Sequence, residues 1–583
     1  MNDRKSPQPQ VEQESPISAV LAYLILLGGI ATIAISAYMV IAGYSSLPYS
    51  DGWTQIFAAN SGENPLSLRW LWRQHNEHRL VIPKLFLVAD LRFFRARQVL
   101  LLASIFAIQF LHWMLLCWSM RALGGWRGAL WRTGAGLAAF CLFCPSQWEN
   151  LTWGFQTCFV LPGLFATCAF VSLLLYWSAA RDGDRPHAWK FLLFSIAAAL
   201  GATYSLASGN LLWPLLIAAA VVLRLRLAVV LSYAVTGTIS TALYLHGYVR
   251  PLQNSDPAAS IRSPLKLLEY FAVYLGSSWV RQSIGVAAFC GILGLLIALI
   301  FLVRSGRSSA DSPFRHQLVL TLLFCLGTGL LTALGRVNAG DMQAFSSRYQ
   351  TIALLFWCCL GLLLLGASGR GFAGMSSVGV QLVLLTMLLR GAILARFPLR
   401  NAREHAFQMH AAAAALITGV DDSQQLQEAF PHSEYVWNAA PFMRENRLSI
   451  FVQDTGPKLG ERFDSVFALA SSDECVGALQ SVSAMGAGAA PALRITGWAW
   501  DVKRRRPPAS VVTVADGAIA GLGAVGDWRP TIRAANPYLK TSFIGFVAYA
   551  KEVNPSVPIR VYGIVSEHPA QACYVAKVVP GVP

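Results

Sequence analysis

The sequence predicts an α-helical polytopic membrane bundle of about eleven spans, followed by a soluble C-terminal all-β sandwich domain. Three observations predict it. Hydrophobic residues make up 55% of the 583 and charged residues only 13%, for a mean hydropathy of +0.49. The apolar residues fall in repeated blocks of about 20, the length that crosses roughly 30 Å of hydrocarbon. Beyond Leu394 that texture stops, and after a mixed helical stretch, segments with a two-residue period take its place.

Residues 1–16 are polar and lack the short apolar core and small-residue cleavage site of a signal peptide. They read as a cytoplasmic tail before a retained first helix. The apolar blocks lie at 18–44, 97–120, 128–146, 157–178, 188–207, 210–223, 227–248, 283–303, 316–334, 350–367 and 376–394. Two further stretches, 80–94 and 264–281, read as re-entrant or interfacial. Residues 17–395 thus form a transmembrane domain, 396–465 a helical linker and 466–583 the β domain.

With the N-terminus inside, the inner connections carry Arg121, Arg127, Arg181, Arg185, Lys190, Arg224, Arg226, Arg304, Arg307, Arg315 and Arg370. The outer connections 147–156 and 205–210 carry no Lys or Arg, as the positive-inside rule expects. The first outer loop runs against the rule with Arg69, Arg73, Arg79 and Lys84. An odd number of spans leaves the linker and the β domain periplasmic.

In the β domain, 493–501 and 511–514 alternate in strand fashion, Asp516-Gly517 marks a hairpin turn, and 542–550 and 559–565 continue the pattern. Nine of the eleven cysteines lie in or beside apolar spans, where thiols pack as small hydrophobes. Cys475 and Cys573 bracket the β domain, where a disulfide would close it in an oxidising compartment. The net charge of +16 is spread in short clusters between spans, which suits anionic headgroups or phosphate-bearing lipids rather than nucleic acid.

Five polar motifs land on the outer side under this topology: Asp51-Gly52-Trp53, His75 to Arg79, Gln147 to Gln156, Ser208-Gly209-Asn210, and Gly335-Arg336 with Ser346 to Tyr349. Residues so polar line water or a substrate rather than lipid. Asp51 directly follows the first span and can take the proton of an attacking hydroxyl, while Trp53 offers a flat face for a sugar ring. The bland alternative is a helix-end Asp beside an aromatic-belt Trp.

His75, Asn76, Glu77, His78 and Arg79 lack the zincin spacing, although two histidines three apart on a helix can share a face with Asp51 as ligands of a divalent ion. The favoured reading has no metal. Arg79 grips a phosphate, Glu77 fixes Arg79 or serves as a second acid/base, and His75, Asn76 and His78 donate hydrogen bonds. Trp148, Glu149, Asn150, Trp153 and Gln156 suit a sugar subsite or an interfacial loop equally. Arg336 and Arg348, beside Tyr349, suit a phosphate clamp or simple membrane anchoring. No Gly-rich phosphate loop and no hydropathy repeat is visible, which argues against an ATP-driven pump or a repeat-built carrier.

A first span ending in Asp51, a charged first outer loop, about eleven spans and an extracytoplasmic C-terminal domain resemble the GT-C class of integral-membrane glycosyltransferases. His75 to Arg79, Glu149 to Gln156 and Ser346 to Tyr349 also look like a group of bacterial membrane proteins associated with surface-polysaccharide modification. The resemblance covers 17–395. It implies a bacterial inner-membrane enzyme that moves a sugar from a polyprenyl-phosphate donor to a lipid-linked or surface glycan, with an acid near Asp51 at work; no cofactor is expected, a divalent metal being the less favoured alternative. Many such enzymes carry a second acidic motif, whereas Glu149, Asp256 and Asp341 here stand without a neighbouring acid. Gly497 to Asp501 and Gly545-Phe546 are similar to small β modules found beside such enzymes. Three rivals follow from the same residues: a polysaccharide polymerase or ligase, a glycolipid translocase, and an acyltransferase built on the mid-span His112.

Overall fold

The computed structural model describes residues 15–183, 185–251, 257–305, 312–368, 377–452, 459–470, 474–485, 492–551 and 557–578. Most of the N-terminal tail, Asp256, Arg307 and Arg370 lie outside them. Each of the eleven apolar blocks contains a helix, and among the described residues eight helices are long and apolar enough to cross a membrane. The remaining three blocks hold Gly128–Phe143, Leu212–Val222, at 16 and 11 residues, and Arg185–Thr203, which opens with Arg185, His187 and Lys190.

Local chemistry sets the helix ends. The first helix, Pro16–Ala42, starts on Ser15, whose hydroxyl accepts from the Ser18 amide at 3.2 Å, with proline in the first helical position. Pro313–Arg336 repeats the device with Ser312. Two glycines bring the first helix against Gly128–Phe143. A Cβ on Gly29 would lie 2.4 Å from the Gly136 carbonyl oxygen, and one on Gly136 would lie 2.4 Å from that of Ile25. Backbones approach this closely only where side chains are absent, the usual basis of helix contact in lipid.

The helix connections gather at two ends of the bundle. At one end Trp126 meets Phe314 and Trp177 meets His316, with ring centroids 5.2 and 6.0 Å apart, and Arg121 and Arg181 lie over Trp131 and Trp177. At the other end the Ile82 amide donates to the Tyr204 carbonyl and Asn150 to the Arg348 carbonyl. The stretches 80–94 and 264–281 each hold one helix too short to span, Val81–Phe94 and Pro264–Gly276. Val81–Phe94 anchors the first loop: buried Lys84 donates to the carbonyls of Trp70 and Arg73 at 2.7 and 2.6 Å, and buried Asp90 accepts from the amides of Gln98 and Leu100. Those two amides open the Val99–Ala122 helix, where a carboxylate is favoured.

Helices run through the stretch after the last apolar block, and Arg396–Thr418 is its spine. One face, with Met409, Ala412 and Leu416, packs on Leu47, Trp53 and Ile56 of the first loop. Another, with Phe407, Ala411 and Ala415, packs on Ala524, Val547 and Tyr549 of the β domain. The alanines let the helix approach both partners, and Gly419 ends it in the left-handed region at φ 74°.

The β domain comprises β1 (Ala468–Leu469), β2 (Cys475–Met485), β3 (Ala492–Asp501), β4 (Ser510–Ala515), β5 (Ala518–Trp528), β6 (Phe543–Ala550), β7 (Ile559–Glu567) and β8 (Ala570–Val578). The expected strands fall within β3, β4, β6 and β7 to within two residues. Asp516 and Gly517, at φ 49° and 76°, make the β4–β5 hairpin turn. The strands form one hydrogen-bonded sheet in the order β1-β8-β7-β4-β5-β6-β3-β2, where a sandwich would divide them between two. A disulfide joins Cys475 of β2 to Cys573 of β8, with Cα atoms 5.7 Å apart, and so draws the two ends of the curled sheet together.

Candidate functional site

The five polar motifs meet at the linker end of the bundle. Asp51 sits in a single helical turn, Ser50–Trp53, held by the Ser50 amide donating to the Ala429 carbonyl at 2.7 Å and by Trp53 sunk into the core. The Asp51 side chain is 32% exposed, and its Oδ1 lies 3.3 Å from His75 Nε2. His75 and His78 exchange backbone hydrogen bonds of 2.8 Å each around Asn76, at φ 47°. They therefore flank a tight turn, which corrects the expectation of two histidines on a helix. Among the described residues no group of three or more His, Cys, Asp or Glu converges as metal ligands.

Glu77 Oε1 accepts from Arg336 at 2.6 Å and lies 3.6 Å from His78 Nε2. The Ala207 amide donates to His78 Nδ1 at 3.3 Å, which ties in the Ser208 to Asn210 motif. On the facing loops the Ser347 hydroxyl donates to the Glu149 carboxylate and accepts from the Glu149 amide. Asn150 donates to the Arg348 carbonyl at 2.8 Å and to Thr351 at 2.7 Å, and Thr351 donates to Gln147 at 2.6 Å. Gln147, Asn150 and Thr351 are buried, so this network fixes the two loops to each other rather than facing a ligand.

Arg348 is partly exposed, its Nε 3.0 Å from Ser346 Oγ and its guanidinium 6.0 Å from the Tyr349 ring. The Tyr49 hydroxyl reports how close these groups stand. Burial raises its pKa, Glu149, Glu428 and Asp51 add to the rise, and Arg348 opposes it. Tyr349 lies within electrostatic reach of Arg348, Arg336, Glu77 and Glu149 together. Rings pack among these groups: Tyr49 meets Trp153 edge-on at 4.9 Å and His405 at 4.4 Å, Trp148 meets His405 at 6.1 Å, and Phe155 stands 5.1 Å from His75.

Besides Asn150, buried between two loops, Glu77, which holds Arg336 and not Arg79, and Trp153, 7% exposed among Leu80, Leu87 and Leu101, three more expected roles change. Trp53 is fully buried and stacked on Phe57 at 5.4 Å, so it presents no face to a sugar. Gln156 is likewise buried, at 1% exposure. Arg79, 5% exposed, donates to the carbonyls of Tyr244 at 2.6 Å, Trp72 at 2.7 Å and His246, which makes it a strut and not a phosphate ligand. Tyr49 and His405 are additions. Tyr49 stands two residues before Asp51, a signal that could have been read; His405 lies in the linker and carries none. The mid-span His112 is buried against Thr167 at 2.8 Å, a packing arrangement.

Burial pushes the His78 pKa down to about 4, with His75 and Arg336 in the same direction and Glu77 and Asp51 against it. The unfolded chain then binds a proton below about 6.5 that the folded chain refuses until about 4, so folding stability falls as pH drops through that window. Thermal melts in detergent between those limits are expected to show this loss, and His78→Gln to flatten it. Equal slopes for the two proteins would remove His78 as the cause.

No family model matches the chain, and neither a curated protein nor a solved structure does.

Proposed function

We propose that the protein is a multi-pass membrane glycosyltransferase of about eleven spans that moves one sugar from a polyprenyl-phosphate donor to a lipid-linked or surface glycan. The reading places the reaction in the bacterial inner membrane, on its periplasmic side. The observation that carries it is a partly exposed carboxylate, Asp51, beside His75, in whose turn Glu77 holds Arg336 of a distant loop, with Tyr49 packed on Trp153 at the same end of the bundle.

Asp51 accepts the acceptor hydroxyl's proton as that oxygen bonds to the anomeric carbon and the carbon–phosphate oxygen bond breaks. His75 holds the carboxylate in place. Arg348 receives the charge gathering on the leaving phosphate, and Arg336, half-neutralised by Glu77, supports it. Trp148, with Tyr49, shapes the sugar pocket. The Cys475–Cys573 disulfide accords with an oxidising compartment for the β domain. Mass spectrometry of surface glycans from cells with and without the gene tests the reading. Loss of one hexose or pentose per repeat is expected; unchanged glycans, or loss of an acyl mass, would replace it.

A further inference from the structure

A cavity of about 390 Å³ opens between the Arg396–Thr418 helix and the curled sheet, apart from the Asp51 vestibule. Its walls are unusually polar. Gln408 and Gln425 come from the linker, Ser481 and Thr496 from β2 and β3, and the apolar contribution is Phe407 and Val547. Gln425 donates to the Gln408 side chain at 2.8 Å, and the Ser481 and Thr496 hydroxyls share a hydrogen bond of 2.7 Å.

The charges are matched. Arg494 Nε lies 3.1 Å from Asp422, a buried carboxylate behind the wall, and Arg529 lies 2.6 Å from Asp527, so each arginine of the cavity has a counter-charge beside it. Amides and hydroxyls in an open cleft whose charges are already paired satisfy a ligand that is dense in hydroxyls and uncharged. A lipid tail would find too little apolar wall. Position matters as well: His405 touches the vestibule ring Tyr49, and Gln408, one turn along the same helix, enters the cavity.

We propose that this cavity binds a neutral segment of glycan, several sugars away from the reacting end of a chain that also enters the vestibule. The second half of the proposal rests on the glycosyltransferase reading; the first does not. The test uses the full-length protein in lipid nanodiscs, with short neutral oligosaccharides of gluco, galacto and manno type as probes and saturation-transfer NMR as readout. At least one probe is expected to bind. Ser481→Phe, which fills the cavity from an exposed position, is expected to weaken it by about tenfold or more at an unchanged melting temperature, and Gln425→Leu, which also takes a donor from the Gln408 carbonyl, to weaken it with a lower melting temperature. Asp51→Asn is expected to bind as the parent does. Binding that survives the filled cavity, competition by inorganic phosphate, or no binding by any probe would overturn the proposal. Binding that depends on the cavity while surface glycans prove independent of the gene would keep the site and discard the transferase.

Discussion

Asp51→Asn is expected to leave the protein folded and inserted while lowering sugar transfer by about 10²–10⁴-fold, the range a general base contributes. The folding half of this expectation follows from what holds the turn. Its anchors are the Ser50 amide on Ala429, the Thr54 hydroxyl on the Asp51 carbonyl, and the Trp53 ring in the core, and none uses the carboxylate. Asparagine keeps the shape and a hydrogen-bond acceptor for His75, so the 3.3 Å contact can persist as a neutral one. The chemical half follows from the loss of a group able to take a proton. Transfer would be measured in nanodiscs against a polyprenyl-phosphate sugar, beside an anion-matched control, Asp464→Asn, at an exposed position in the β domain. Parent-like transfer by Asp51→Asn would reject the role, whatever the enzyme's substrate. His75→Gln is expected to fall between the two if His75 positions the carboxylate.

The architecture was legible because lipid and pleated sheet impose periods that a sequence cannot hide. A span must be continuously apolar, so all eleven blocks hold helices, and a half-buried strand must alternate, so β3, β4, β6 and β7 sit where the pattern puts them. The meeting of the polar motifs was legible for a related reason: helices that run back and forth return distant loops to one end, and the Glu77–Arg336 and Glu149–Ser347 contacts join loops that are far apart in sequence. Individual roles were not. Trp53 and Trp148 are the same residue type in similar loops, and what sinks Trp53 into a core is Met409 and its neighbours, some 350 residues later, while Trp148 stays half-buried. The 75–78 turn has no periodic signature, because four polar residues fit a helix face or a hairpin equally well. Strand order depends on pairings such as β4 with β7, so one curled sheet and two facing sheets share the same local pattern.

Arg79 shows the same limit from the opposite side, and it yields the largest expected change in stability. An exposed arginine in a charged loop is a natural phosphate ligand, and nothing nearby in sequence argues otherwise. The structure spends its guanidinium on three carbonyls, those of Trp72, Tyr244 and His246, with the Trp72 ring 5.3 Å from the charge. Two of those carbonyls close the Leu227–Leu245 helix, so Arg79 fastens the first loop to a helix about 165 residues away. Arg79→Ala would leave three carbonyls without this donor at roughly 1–3 kcal/mol each, a loss of about 3 kcal/mol or more. Lysine offers a point charge where a planar fork is needed, so Arg79→Lys is expected to recover only part of it. Both variants should melt earlier in detergent and expose the 61–80 loop to protease, and since that loop carries His75, transfer should fall with the folded fraction. A phosphate ligand behaves differently: Arg348→Ala is expected to melt as the parent does and to raise KM for the donor. If Arg79→Ala instead melted normally and raised KM alone, the strut would be wrong and the donor phosphate would have to sit deeper, against Tyr244.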